Sequence, residues 1–318
     1  MNPIGSVRTI VGAEGGGGVD WAAARAAARE LTDSGDLDLD PAVKAGYARD
    51  MRAARTEIAA VSGIDFALPR TVEVQNRHHW IDRTVDILEA VLEPLSVDDG
   101  RFPGLTGPLN TATVSGSVAY LSRLVLGQYD PRLFSGEGDH GLYVVHPNVV
   151  EASRKLSVDE DRFRRWIAFH EVAHAAEFAA APWLRDYLET RIRRVVSGLD
   201  GMTIPRTEYQ ELDRVMTVVE GYAELLMDEA FDEPSAELRR KLDERRSSGG
   251  LISRLLGQVI GLDRKREQYE RGRDFFDVIV AERGLKGAGR VWEDPAFLPN
   301  ELELERPDRW LDRVPPGQ

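Results

Sequence analysis

Along most of the chain apolar positions recur every three to four residues, the spacing of helices with one buried face. Asp20 stands as an N-cap before the Ala-rich run that ends near Leu31. Met51, Ala54, Ile58 and Val61 mark a helix over 40–62, and Trp80, Val85, Leu88, Val91 and Leu92 mark another over 77–95. A loop rich in Gly and Pro, from Gly100 to Pro108, precedes a helix over 110–126. The segment 127–147 breaks this rhythm. Gly127, Pro131, Gly136, Gly138 and Gly141 punctuate it, and Leu142 to Val145 form an apolar run that reads as a short strand. Ser157 followed by Glu160 is a capping-box pattern opening a helix over 158–180, which Pro182 bounds. Further helices are expected at 183–198, 208–230, 235–246, 250–262 and 264–283. Beyond Gly287, Pro295, Pro299 and Pro307 break the chain into short turns and one last helix.

The fold class is therefore α+β, predominantly α-helical. Gly15 to Gly18 leave nothing to bury, so residues 1–19 are expected as a flexible tail ahead of a single domain over 20–318. An apolar share of 42% suits a globular chain. With 41 basic and 54 acidic residues the formal charge is −13, which argues against duplex nucleic acid and anionic membranes as partners. No Cys is present, which removes disulfides, thiolate metal sites and a Cys nucleophile. No stretch of apolar residues is long enough to span a bilayer, and the first residues lack the pattern of a secretory signal, so a cytoplasmic location is expected.

Chemistry concentrates in His170-Glu171-Val172-Ala173-His174, an HExxH motif inside a predicted helix. Residues i and i+4 share a helix face, so both imidazoles can reach one Zn²⁺. Glu171 is rotated by about 100° from His170, beside the ion without ligating it. It can take a proton from water that zinc has acidified from a pKa of about 15.7 to about 7.

A catalytic zinc takes three protein ligands and keeps one position open. Without Cys the third must be His, Asp or Glu, and with no His after His174 the extended HExxHxxGxxH pattern is excluded. The predicted helix from Val218 to Asp228 carries Glu220, Glu224 and Asp228 at four-residue intervals among Val219, Ala223, Leu226 and Met227. Burying three acids on such a helix is costly without a cation or donors. Gly221 inside it suggests close approach of a second helix.

Several stretches together carry a wider resemblance. They are Val19-Asp20-Trp21, Leu126 to Pro131, Val144 to Val150, Phe169 to His174 with Pro182-Trp183-Leu184, and Val219 to Glu224 with Met227-Asp228. The C-terminal ones are Val291-Trp292-Glu293, Leu298-Pro299 and Pro307 to Leu311. In these the chain resembles the zincin-like metallopeptidase family, and within it the branch associated with biosynthesis of the deazaflavin redox coenzyme. The resemblance implies a zincin-like metalloprotease fold with a small sheet next to the HExxH helix and a metal-dependent hydrolase, without a known substrate; the HExxH motif itself points to a Zn²⁺ cofactor and a peptide or amide substrate. Glu220-Gly221-Tyr222-Ala223 also resembles the Asn-Glu-Gly-Phe-Ala segment of glutamate-type zincin aminopeptidases, whose Glu binds metal. This favours Glu220 as the third ligand. Glu224 with Asp228 resembles the Glu-x-x-x-Asp of thermolysin-like enzymes, so the alternative frame stays open. On the first reading, Glu224 and Asp228 accept the second N–H of a ligating imidazole. Position 222 is Tyr where related branches can carry His.

Tyr222, His146 and Tyr143 are further candidates for contacting a substrate or a developing oxyanion, the latter two because a strand before the metal helix often borders a zincin cleft. His140 sits in a Gly-rich loop, and His78 and His79 are read as surface or interhelix hydrogen-bonding residues. Two rival readings remain: a zincin-like body without turnover, acting as a binding or regulatory protein, and a di-iron bundle. The second needs another helical Glu-x-x-His, and Gly138 interrupts the one from Glu137 to His140.

Overall fold

Local signals start the first helices. Asp20 accepts the Ala23 N–H at 2.9 Å and opens α1 (Trp21–Glu30). Asp40 accepts the Ala42 N–H at 2.7 Å and opens α2 (Pro41–Ser62), which Gly63 closes with φ +70°. The computed structural model describes residues 18–92, 107–134, 140–199, 206–231, 241 and 262–317. Residues 1–17 of the expected tail, Glu137, and the expected helices over 235–246 and 250–262, apart from Lys241 and Leu262, lie outside the described residues.

The order continues as β1 (Thr71–Gln75), α3 (Arg77–Leu92), α4 (Gly107–Leu121), β2 (Gly127–Asp130) and β3 (Gly141–Val145). Then come α5 (His146–Leu156), α6 (Glu160–Ala180), α7 (Leu184–Leu199), α8 (Arg206–Ala230) and α9 (Leu262–Gly289), which bends at Gly284. Two 3-10 turns, α10 (Glu301–Glu305) and α11 (Pro307–Arg313) end the described chain. Two expectations need correction. The metal helix is capped by Asp159, which accepts the Arg162 N–H at 2.8 Å, and Ser157 instead closes the preceding helix with φ 51°. Strands β1 and β2 add to the single strand expected at 142–145.

The three strands form one sheet in the order β1-β3-β2, with β1 parallel and β2 antiparallel to β3. β3 is thus central, buried along its whole length, and the edge next to the metal helix is β2. Both backbone edges of the strand at 142–145 are already paired, so neither is open to an extended peptide. Leu142 and Val144 face the main core with α2, α6, α8 and α9. Val145, on the opposite face by strand alternation, joins Ala28, Trp80, Ile81, Val85, Val118 and Ala119 in a second cluster with α1, α3 and α4. The sheet is a thin layer between two helical layers. Among the described residues no helix is long and apolar enough to cross a membrane.

Candidate metal centre

α6 is buried on nearly every side, and its fixings lie at both ends of the motif. Near its start, Arg164 donates to Asp50 of α2 and to Asp161, each at 2.6 Å. Gly46 leaves room for that guanidinium, since a Cβ there would meet Arg164 Cζ at 2.8 Å. Ala168, Ala173, Ala175 and Ala176 are fully or almost fully buried, so neighbouring elements pack close to this helix. α8 is held differently. A Cβ on Gly221 would lie 2.5 Å from the Gly272 carbonyl carbon of α9, so the two helices touch backbone to backbone. The turn that carries Glu220 is set by this contact.

The two helices bring three side chains to one point. His170 and His174 Nε2 lie 3.3 Å apart, and Glu220 Oε2 lies 3.7 Å from the first and 4.0 Å from the second. At metal–ligand distances of about 2.0–2.1 Å, two donors on a tetrahedral ion sit about 3.4 Å apart. The three atoms have the spread of such a donor set. They form the His/Glu group whose ligand atoms converge within 4.8 Å among the described residues.

Glu171 turns toward the sheet, where its Oε2 accepts the Tyr129 N–H of β2 at 2.7 Å. In the β2–β3 pairing Tyr129 lies opposite Leu142, at a position whose N–H points away from β3. The strand edge thus orients the acid. Gly127 makes the space: a Cβ there would meet Glu171 Oε1 at 2.6 Å and Cγ at 2.7 Å. Neither residue stands out in the sequence reading as a site residue, since a backbone N–H and an absent side chain leave no chemical signature.

Glu177 is the acid bonded to an imidazole. It is 0% exposed, and its Oε2 lies 2.8 Å from His174 Nδ1. The signal was an acid inside the run His174-Ala-Ala-Glu177-Phe-Ala-Ala, where burial without a donor is costly. Glu224 is buried at 5% exposure, but its carboxylate is not among the converging donors. Asp228 pairs with Arg273 of α9. The geometry explains the spread of these acids. Each four-residue step turns about 40° further round the helix, so two steps carry Asp228 about 80° away from Glu220.

Electrostatics around the cluster favour positive charge. Burial pushes the His174 imidazole down, but Glu177, Glu220 and Glu171 outweigh it and hold the pKa up at about 9. Burial raises the Glu177 carboxyl to about 7, with His174 opposing and Glu220 adding to the rise. Three buried acids thus surround two imidazoles, an arrangement that a divalent cation would stabilise. Donor type, spacing and charge all fit zinc.

The other candidates lie elsewhere. Tyr222 is 1% exposed and packs edge-on against Phe276 and Trp292 in the core. His146 shares a hydrogen bond of 2.9 Å with Tyr47 Oη, and its pKa is lowered, chiefly by burial. Tyr143 faces the sheet side opposite α6, under the Arg83 guanidinium at 4.0 Å. None of the three belongs to the converging donor group. His140 is bonded to Tyr129 Oη at 2.9 Å, and that ring lies against Phe178 of α6. His78 is hydrogen-bonded to the Thr32 carbonyl at 2.8 Å and His79 to Asn76 at 2.8 Å.

Comparison with known proteins adds two findings. A family model described as "Zincin-like metallopeptidase" matches residues 19–208 and 202–311. A crystal structure from Chloroflexus aurantiacus, described as "a putative hydrolase with a novel fold", superposes with a TM-score of 0.76 at 29% identity. The match covers 93% of this chain and 98% of that one. No curated protein matches the chain.

Proposed function

From the premise that the chain belongs to the zincin-like metallopeptidase family, we propose that it is a zinc-dependent hydrolase of amide or peptide bonds. The observation that carries this reading is the convergence of His170, His174 and Glu220 within 4.8 Å, with the Glu171 charge near enough to act on His174. The resemblance to a structure described as that of a hydrolase supports the reaction class. The narrower tie to the deazaflavin-associated branch rests on the sequence stretches quoted above.

On this reading His170, His174 and Glu220 hold the ion. When bound, zinc supplies Lewis acidity at a carbonyl oxygen and makes water a stronger acid. Glu171 accepts the proton of the attacking water and returns it to the departing amine. Tyr129 N–H holds one of its oxygens, so the acid keeps its direction while it gains and loses that proton.

The test is a peptide and amide library offered to zinc-loaded protein, wild type and Glu171→Gln. Cleavage by the wild type, lost with a chelator and restored by Zn²⁺, supports the enzyme. The Gln variant should bind zinc as before and lose at least about 100-fold in rate. Retained activity in that variant would exclude the assigned base. Zinc binding by the wild type with no turnover would favour a binding protein built on the same fold.

A further inference from the structure

His174 is approached at both ring nitrogens. Nε2 faces the Glu220 carboxylate of α8 at 4.0 Å, and Nδ1 meets Glu177 Oε2 at 2.8 Å. Glu177 and His174 are three residues apart on α6, so the same helix that carries the ring also carries its support. The acid is fully buried in an Ala-rich stretch, with Phe169, Val172, Ala173, Ala176 and Tyr222 in the same core. An ordinary core position in that stretch would take an apolar residue at less cost. The carboxylate gains its function from the imidazole it touches.

We propose that Glu177 is the positioning residue of the centre. Its carboxylate keeps the His174 proton on Nδ1, so the Nε2 lone pair faces the point shared with His170 and Glu220. It also adds a negative charge behind the ring, which makes that nitrogen a stronger donor. Glu177 does not ligate the ion and does not touch substrate. This inference rests on the reading of the cluster as a zinc site.

The experiment measures Zn²⁺ affinity of the full chain by competition with a chelating dye, for wild type, Glu177→Gln and Glu177→Ala. Thermal unfolding of the metal-free proteins and the absorption spectrum of Co²⁺-loaded samples accompany it. Affinity should fall by about 10–100-fold in the Ala variant and by less in the Gln variant, which keeps an acceptor but no charge. The Co²⁺ bands should shift in both. Metal-free Glu177→Gln should stay folded and unfold closer to the wild-type temperature than Glu177→Ala, because the amide keeps the shape and an acceptor for the imidazole. The Gln variant preserves the test if the Ala variant does not fold. Unchanged affinity and unchanged Co²⁺ bands in the variants, beside a wild type that binds zinc, would overturn the role of Glu177 alone. A wild type that binds neither ion would overturn this role and the zinc reading together.

Discussion

α6 and α8 deliver side chains to the same point, yet the contacts nearest their donors differ in kind. α6 is fixed by side chains that reach out: Arg164 to Asp50 and Asp161, Glu171 to the edge of the sheet, and a row of apolar residues to the core. α8 also has an apolar face and the Asp228–Arg273 ion pair, but its closest contact lies where side chains are missing, at Gly221 and Gly272, and it carries a single member of the donor set. The difference separates two kinds of distant control. Loss of an anchor on α6 leaves a buried charge with one partner fewer but does not displace the donors from one another. Added bulk between α8 and α9 moves one donor away from the other two.

The largest expected effect comes from the anchor. Asp50 and Arg164 both have side chains less than a tenth exposed, so Asp50→Ala leaves the guanidinium with only the exposed Asp161. A loss of about 3–4 kcal/mol in unfolding free energy is expected from urea titration. Zinc affinity of the folded protein should stay within about twofold, because α2 supplies no donor. If zinc binding weakened as much as stability fell, α6 would not be the rigid partner.

Next comes the contact behind α8. A Cβ at position 272 would lie 2.3 Å from the Thr217 carbonyl oxygen and 2.9 Å from Gly221 Cα, both of them backbone atoms that cannot turn aside. Gly272→Ala should destabilise by about 1–3 kcal/mol, as overpacking does. It should also weaken zinc binding about tenfold, since donor geometry is sensitive to sub-ångström displacement. The comparison breaks if this variant loses stability while chelator competition shows wild-type affinity.

The same contrast explains what the sequence discloses. The imidazole pair is legible because its spacing matches the helix repeat, and the helix of α8 is legible from its apolar face. The division of labour among Glu220, Glu224 and Asp228 is not, because four-residue spacing places all three near one face while only neighbouring helices decide which acid meets what. Glu177 escapes for a related reason: its partner is identified by ring orientation, which periodicity does not encode. Gly221 hints at a close approach, but its partner lies on a different helix, at Gly272. β1 and β2 have five and four residues, too few for a period to declare itself, and they owe their pairing to β3. At the start of α6 both Ser157 and Asp159 have capping chemistry, and the left-handed backbone at Ser157 gives the cap to Asp159.

The smallest effect on stability should accompany a selective effect on rate, at the sheet side of α6. Gly127→Ala would place a Cβ 2.9 Å from Glu171 Cδ and closer still to Oε1 and Cγ. β2 cannot retreat without breaking its pairing with β3, so the acid must rotate and release the Tyr129 N–H. One lost hydrogen bond costs about 1 kcal/mol, which a urea midpoint would detect. The imidazoles and Glu220 are untouched, so zinc affinity should hold. Misplacing a proton acceptor by about 1 Å can cost about 100-fold in rate. Turnover of any substrate found by the library should therefore fall steeply while zinc content stays constant. Should zinc content fall in step with rate, the strand would be supporting the donors as well, and the sheet and α8 would no longer be separable controls on the two halves of the site.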